Sequence, residues 1–474
     1  MRMTLRRLAV LALCLVTCSS LGAPLGAAGA QSAATTGSAV TSVSAQGYAV
    51  AAAETAASAS AIQPGSVGRM SLKLSATYAV NATIAVATGV INVTTTIVAR
   101  NEAGHDIDRL ELNTIAARLG AISVTNATVD GTPVTVTVKD QTLIVPLGGI
   151  LPNGATTELR IGFRATLKTT LTGSNWMFTR SGGTLALYRW IPWISRDRPF
   201  DRPNHGDPFV TPSSPHVSVQ LSLDKPMVLA SPANALPTAP ALTWSFGLDN
   251  VRDVSIVLAP DFTVTKTTAN GVAIRAYSRP GGISGATLAD RARSALLAEA
   301  ARLGVAYPWP NITMVETTGG YGMESPRLIW IPANTAAASV TYLVYHEMAH
   351  QWFYGLVGND QWSQPFADEA AADLLARSVL GTLRGSSCAS DALDRAITGY
   401  SAACYYEKIY IQGGNVLNSL RAKMGTTRFW NALAGYVQAN RNRLGGSKQL
   451  LDALRAASPV DLMPTLRARF PSLY

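Results

Sequence analysis

His346-Glu347-Met348-Ala349-His350, followed after eighteen intervening residues by Glu369, is the stretch on which the reading of this chain turns. Two histidines four apart stand one above the other on a single helix face, so both imidazoles can reach one metal ion. The glutamate after the first histidine points toward the same ion without binding it, and can take a proton from a metal-bound water. Glu369 supplies a third ligand from the next helix. Two histidines and one glutamate leave a fourth tetrahedral position open, as catalytic rather than structural zinc sites do. The expectation is one Zn2+ per chain.

The pattern is short, and a helical histidine pair can also be surface decoration. The surroundings argue against that. The chain has five histidines, and two fall in this pattern. Leu343, Val344, Tyr345, Trp352 and Phe353 mark a buried helix, and Pro365 precedes a new helical run carrying Glu369.

These residues resemble the M1 family of zinc aminopeptidases, gluzincins with the pattern HExxH-x18-E. Two further motifs stand in family order. Gly320-Tyr321-Gly322-Met323-Glu324-Ser325-Pro326 resembles the GxMEN strand, with Ser325 in place of Asn. Tyr410-Ile411-Gln412-Gly413-Gly414-Asn415-Val416-Leu417 resembles the element bearing the family's catalytic tyrosine, with Gln412 in place of Lys. The likeness covers roughly residues 67–474. It implies an α+β fold, an N-terminal antiparallel β-domain followed by a thermolysin-like catalytic domain, in a short bacterial form without the family's large C-terminal helical domain. It also implies catalytic roles for Glu347 and Tyr410, metal ligation by His346, His350 and Glu369, and peptide binding by Glu324, Gly322 and Gly320. Tyr405 and Tyr406 compete with Tyr410, but only Tyr410 has the glycine and the Val-Leu pair at the family's offsets.

Residues 1–30 read as a secretory signal: Arg2, Arg6 and Arg7, an apolar run over 8–16, and small residues to Ala30, where cleavage is expected. Thr17 before Cys18 makes a poor lipoprotein site. Loss of this segment removes three arginines and lowers the net charge from +10 to +7. No basic run or aromatic-basic stripe supports nucleic-acid binding, and no other segment reads as transmembrane. Cys388 and Cys404 remain, an even pair in an oxidising compartment, so a bridge is expected over two buried thiols. On the chain-entropy model it would contribute about 3 kcal/mol.

Residues 31–66 are Ala-, Ser-, Thr- and Gly-rich and read as a disordered linker. A β-domain is expected over 67–264, from alternating stretches at 78–98, 121–129, 134–138, 141–145, 157–165, 217–223 and 254–258. The zinc-peptidase domain follows over 265–474. It has strands at 271–277 and 312–316 and helices at 288–303, 337–354, 366–380, 408–424, 427–440 and 447–457. Asp373, one turn after Glu369, is a candidate acceptor for the second N–H of a ligand histidine. The reading is a secreted peptidase acting on peptide substrates from their amino ends. An endopeptidase with an open cleft and a non-catalytic peptide-binding module are the alternatives. Side-chain preference and oligomeric state leave no mark in the sequence.

Overall fold

A computed structural model describes residues 61–200, 207–382 and 384–474. The expected signal peptide, the lipoprotein cysteine and residues 31–60 lie outside the described residues. Residues ahead of the expected boundary at 67 already bond to the β-domain. Gln63 exchanges two backbone hydrogen bonds of 2.7 Å with Ile150. The Asp108 carboxylate gathers the Ser66 hydroxyl and the amides of Val67, Gly68 and Arg69 at 2.5–2.9 Å.

A ten-stranded sheet dominates the first half. Its strands Leu74–Ala85 and Val90–Asn101 pair over their whole length, Leu74 opposite Asn101 and Ala85 opposite Val90. Tyr78, Val80, Ala82 and Ile84 face the core while their neighbours face out, the period-two pattern of a half-buried strand. The Asp130-Gly131 turn carries positive φ at both residues (47° and 79°), as a tight primed hairpin requires. One pairing departs from the antiparallel expectation. Leu74–Ala85 lies parallel to Ser214–Ala230, with Tyr78 opposite Val217. The long chain between them provides the crossover that a parallel pair needs. A four-stranded sheet (Trp193–Ile194, Ile107–Asn113, Thr142–Leu151, Thr137–Lys139) and the short helix α1 (Ile115–Leu119) complete this half.

The second half opens with a five-stranded sheet. Thr263–Ala269 and Val272–Ser278 form a hairpin. Asn311–Thr317 and Leu328–Pro332 then add in parallel, and Met323–Ser325 closes the edge antiparallel to Leu328–Pro332. Helix α2 (Gly285–Leu303) crosses between strands, capped by Ser284 at its start and by Gly304 at φ 73° at its end. Helices α3 (Ala337–Ala349) and α4 (Glu369–Leu380) pack on it. Then come α5 (Gly413–Met424), α6 (Thr426–Ala439), α7 (Ser447–Ala457) and α8 (Met463–Arg469), the last absent from the sequence reading.

Two elements differ instructively from expectation. The helix expected over 337–354 ends at Ala349, with His350 as its cap. The amides of Gly355, Leu356 and Val357 reach back five residues to the carbonyls of His350, Gln351 and Trp352, and Tyr354 takes φ 110°. The helix expected over 408–424 begins as a π-helical turn, Glu407–Gln412, and becomes α-helical only at Gly413. A disulfide joins Cys388 to Cys404 just before that turn. No helix among the described residues is long and apolar enough to cross a membrane.

Arg252 ties the two halves together. It is fully buried in the β-domain. Its guanidinium donates to the carbonyls of Thr211, Gly355, Leu356 and Arg443 at 2.7–3.3 Å, three of them in the catalytic half. Burial pulls its pKa down to about 10, still charged at neutral pH. Arg252→Ala should therefore destabilise the fold by about 3 kcal/mol, because buried carbonyls lose their donors and a cavity opens. Denaturant unfolding followed by tryptophan fluorescence measures this, and a change under 1 kcal/mol would contradict the tie.

Candidate metal centre and cleft

His346 and His350 occupy the last turn of α3, and Glu369 opens α4. Gly413 and Gly414 let α5 approach α4 closely. A Cβ at Gly413 would stand 2.7 Å from the Ala370 methyl, and one at Gly414 2.9 Å from Asp373 Oδ2. That approach accounts for two adjacent glycines in a helix, where each is locally unfavourable by roughly 1 kcal/mol.

The three ligand atoms form a nearly equilateral triangle. His346 Nε2 and His350 Nε2 are 3.1 Å apart, and Glu369 Oε2 lies 3.3 and 3.2 Å from them. Zinc–ligand bonds of about 2.0–2.1 Å place tetrahedral ligand atoms about 3.3–3.4 Å apart. Glu369 Oε2 is buried yet makes no well-formed hydrogen bond, despite two imidazole nitrogens close by. Both observations fit a zinc ion held by His346, His350 and Glu369. His350 Nδ1 donates to the Phe353 carbonyl at 2.9 Å, which fixes Nε2 toward the ligand triangle.

Asp373 does not accept from a ligand histidine, and Nδ1 of His346 is buried with no partner among the described residues. The Asp373 carboxylate is instead taken by the Tyr342 hydroxyl (2.5 Å), Arg377 Nε (2.8 and 3.0 Å) and Arg384 Nη2 (3.3 Å).

Glu347 lies against the edge strand. A Cβ at Gly322 would overlap its Oε1, so only glycine fits there. Gly320, at φ 95°, likewise yields its side-chain space to the Trp176 indole. Burial pushes the Glu347 carboxyl well above its ordinary range, and Glu324, Glu369 and Asp207 add to the push while His350 opposes it. A bound dication would reverse that push.

Of the three candidate phenols, Tyr410 faces the ligands. Its ring stacks on His346 at 5.4 Å, and burial, with Glu369 nearby, raises its pKa well above 10, so it stays a neutral donor. Tyr405 is buried in the core and Tyr406 is exposed at the cleft wall. Gln412, at the position where the family motif has Lys, donates to Ser386 Oγ and the Cys388 carbonyl and accepts from Arg469. It thereby pins the Tyr410 turn to the disulfide loop and to α8.

Glu324 is buried in the same cleft. Gln361 Nε2 donates to its Oε1 at 3.0 Å, Arg189 Nη2 stands 3.7 Å away, and the Tyr188 hydroxyl donates to its backbone carbonyl at 2.7 Å. Ser325, in the place of the motif's Asn, hydrogen-bonds Asp253, which also receives the Tyr354 hydroxyl. Tyr188 and Arg189 are both buried where the β-domain meets the cleft. Their further task of holding Glu324 left no sequence signal, because the partners are more than 130 residues away. The cleft has a volume of about 560 Å³, within the usual range for small-ligand sites. Trp176 and Asp207, from the β-domain, line it and went unrecognised in the sequence.

Residues 289–402 match the family model described as peptidase family M1 domain. That stretch holds both ligand histidines, Glu347 and Glu369, so over it the chain is similar to peptidase family M1. It is 23% identical over 372 residues to aminopeptidase M1 of Arabidopsis thaliana, covering 68% of this chain and 41% of that protein. To endoplasmic reticulum aminopeptidase 1 of Homo sapiens it is 23% identical over 243 residues, covering 44% and 26%. The chain thus spans less than half the length of these relatives. The M1 zinc metallopeptidase from Deinococcus radiodurans has a similar fold, with TM-score 0.64, 20% identity, and coverage of 86% of this chain and 95% of that one. A mutant form from that organism bound to a Tyr-Ser-Ala substrate matches with TM-score 0.64 at 19% identity, covering 86% and 96%. At this identity the likeness speaks to the M1 fold alone.

Burial disfavours charge on His350, but Glu369, Glu324 and Glu347 outweigh it and hold its pKa well above 6.5 in the metal-free protein. Zinc can bind only the neutral imidazole, so binding must expel a proton. Titration calorimetry in buffers of different ionisation enthalpy should detect this release, and zinc affinity should fall as pH falls. His350→Ala should lose most metal at neutral pH, whereas Glu347→Gln should keep it; full zinc content in His350→Ala would refute the ligand assignment.

Proposed function

We propose that the chain is a secreted zinc aminopeptidase that removes N-terminal residues from peptides. The observation that carries this reading is the buried Glu324 carboxylate in the same cleft as the ligand triangle and Glu347. An anion beside the scissile position selects substrates with a free amine. The two relatives, both aminopeptidases, and the tripeptide bound to a structural neighbour support the same substrate class. Secretion rests on residues 1–30 and is supported by the disulfide.

Bound zinc would polarise the scissile carbonyl and acidify a water molecule. Glu347 takes the proton of the attacking water, holds it on its carboxylate, and returns it to the leaving nitrogen. The Tyr410 hydroxyl donates to the oxyanion that develops on the carbonyl oxygen. Glu324 accepts the substrate ammonium, while Gln361 and Arg189 keep it in place. Met323 and Glu324 of the edge strand line the cleft, where an extended peptide can lie against them.

Tyr410→Phe should lower kcat by about 10²–10³ with little change in ground-state binding, the size of one lost oxyanion donor. If Tyr406→Phe shows that loss and Tyr410→Phe does not, the phenol assignment is wrong.

An ammonium on a partly buried carboxylate contributes roughly 1.5–3 kcal/mol. Free-amine peptides should therefore exceed their N-acetylated forms by about ten- to a hundredfold in kcat/KM, and Glu324→Ala should erase most of that preference. Equal rates on both forms with the unmodified protein would favour the endopeptidase reading.

A further inference from the structure

Behind the wall of the cleft on the His346 side, against two tyrosines that line it, stands a positive charge that the proposed reaction does not use. Tyr342 and Tyr406 line the cleft there. The Tyr342 ring lies 5.7 Å from His346, and the Tyr406 ring 4.7 Å from Tyr410. Arg384 binds both tyrosines. Its Nη2 donates to the Tyr406 hydroxyl at 2.7 Å, and its guanidinium carbon stands 5.2 and 5.0 Å from the two ring centres.

The local charge does not balance. Asp373 is the shared counter-ion of Arg377 and Arg384, one carboxylate against two guanidiniums. Arg377 is buried against it with Nε on both carboxylate oxygens, whereas the Arg384 side chain is 33% exposed and reaches it only through Nη2 at 3.3 Å. The surplus charge therefore resides on Arg384. Among the described residues, no hydrogen-bond acceptor meets its Nε or Nη1. The acidic end of the cleft lies elsewhere: Glu324 groups with Glu347 and His350. The ligand triangle thus has a carboxylate on its His350 side and a spare guanidinium on its His346 side.

We propose that Arg384 receives the C-terminal carboxylate of short peptides, so that the cleft takes di- to tetrapeptides as zwitterions, ammonium on Glu324 and carboxylate on Arg384. This rests on the aminopeptidase reading and narrows its substrate class. A guanidinium fork suits a carboxylate, and two flanking rings hold it flat and limit its hydration. A peptide amide in place of the carboxylate removes the charge without changing the shape.

The test compares Leu-Ala, Leu-Ala-Ala and Leu-Ala-Ala-Ala with their C-terminal amides on the zinc-loaded full chain. For at least one length the free acid should exceed the amide by about tenfold in kcat/KM, the worth of roughly 1.4 kcal/mol of ionic contact. The effect should reside in KM and weaken with salt. Arg384→Gln should bring that ratio to near one, and Arg384→Lys should keep part of it. Equal rates on acids and amides at every length would overturn the proposal while leaving the aminopeptidase reading intact, as would an Arg384→Gln protein that retains the ratio. Cleavage of neither series by the unmodified protein would overturn both.

Discussion

Buried negative charge is the constraint around which the catalytic half is arranged. Glu324, Glu347, Asp368 and Glu369 are each less than 5% exposed. Among the described residues, the cations that face them are Arg189 and His350. Burial pushes Glu347 and Asp368 well up, while His350 and His346 draw Glu369 down to about 2 despite its burial. Carboxylates so close together cannot all ionise unless a cation joins them. A dication at the triangle supplies that charge, and it couples the end of α3 to the start of α4. The site is therefore a consequence of electrostatics as much as of helix geometry.

The strand that carries Glu324 depends on the β-domain for its position. Asp253 gathers Ser325, Tyr354 and, at 3.9 Å, Arg189. Gln351, one residue past the second ligand histidine, donates to the Ser325 carbonyl and accepts from the Arg327 amide, at 3.0 and 2.8 Å. The edge strand is thus sewn to the metal helix on one side and to the β-domain on the other. Ser325 and Gln412, the two departures from the family motifs, each have a defined partner set.

The site was legible where its parts lie close along the chain or on regular periodicity. His346 and His350 share one helix turn. Tyr410 could be chosen over Tyr405 and Tyr406 by offset alone. What escaped the sequence depends on long-range contact. The parallel pairing of Leu74–Ala85 with Ser214–Ala230 spans more than a hundred residues. Arg189 and Arg252 look like any other arginines until the catalytic half closes on them. The early end of α3 has no proline or glycine at His350 to signal it; the return bonds from Gly355, Leu356 and Val357 create it. Asp373 had the right spacing to serve a ligand histidine, but two arginines and a tyrosine claim it.

The Arg252 tie bears on how such proteins can diversify. Its acceptors at Gly355 and Leu356 belong to the turn immediately after the second ligand histidine, and Arg443 belongs to the loop before α7. The β-domain is for this reason part of the catalytic half's interior rather than an attached accessory. A chain cut near residue 265 would strand these carbonyls without their donor, so neither half is a free-standing module. Exchanging the β-domain for another would require a matching cation at the same point, and so the two halves are bound to change together.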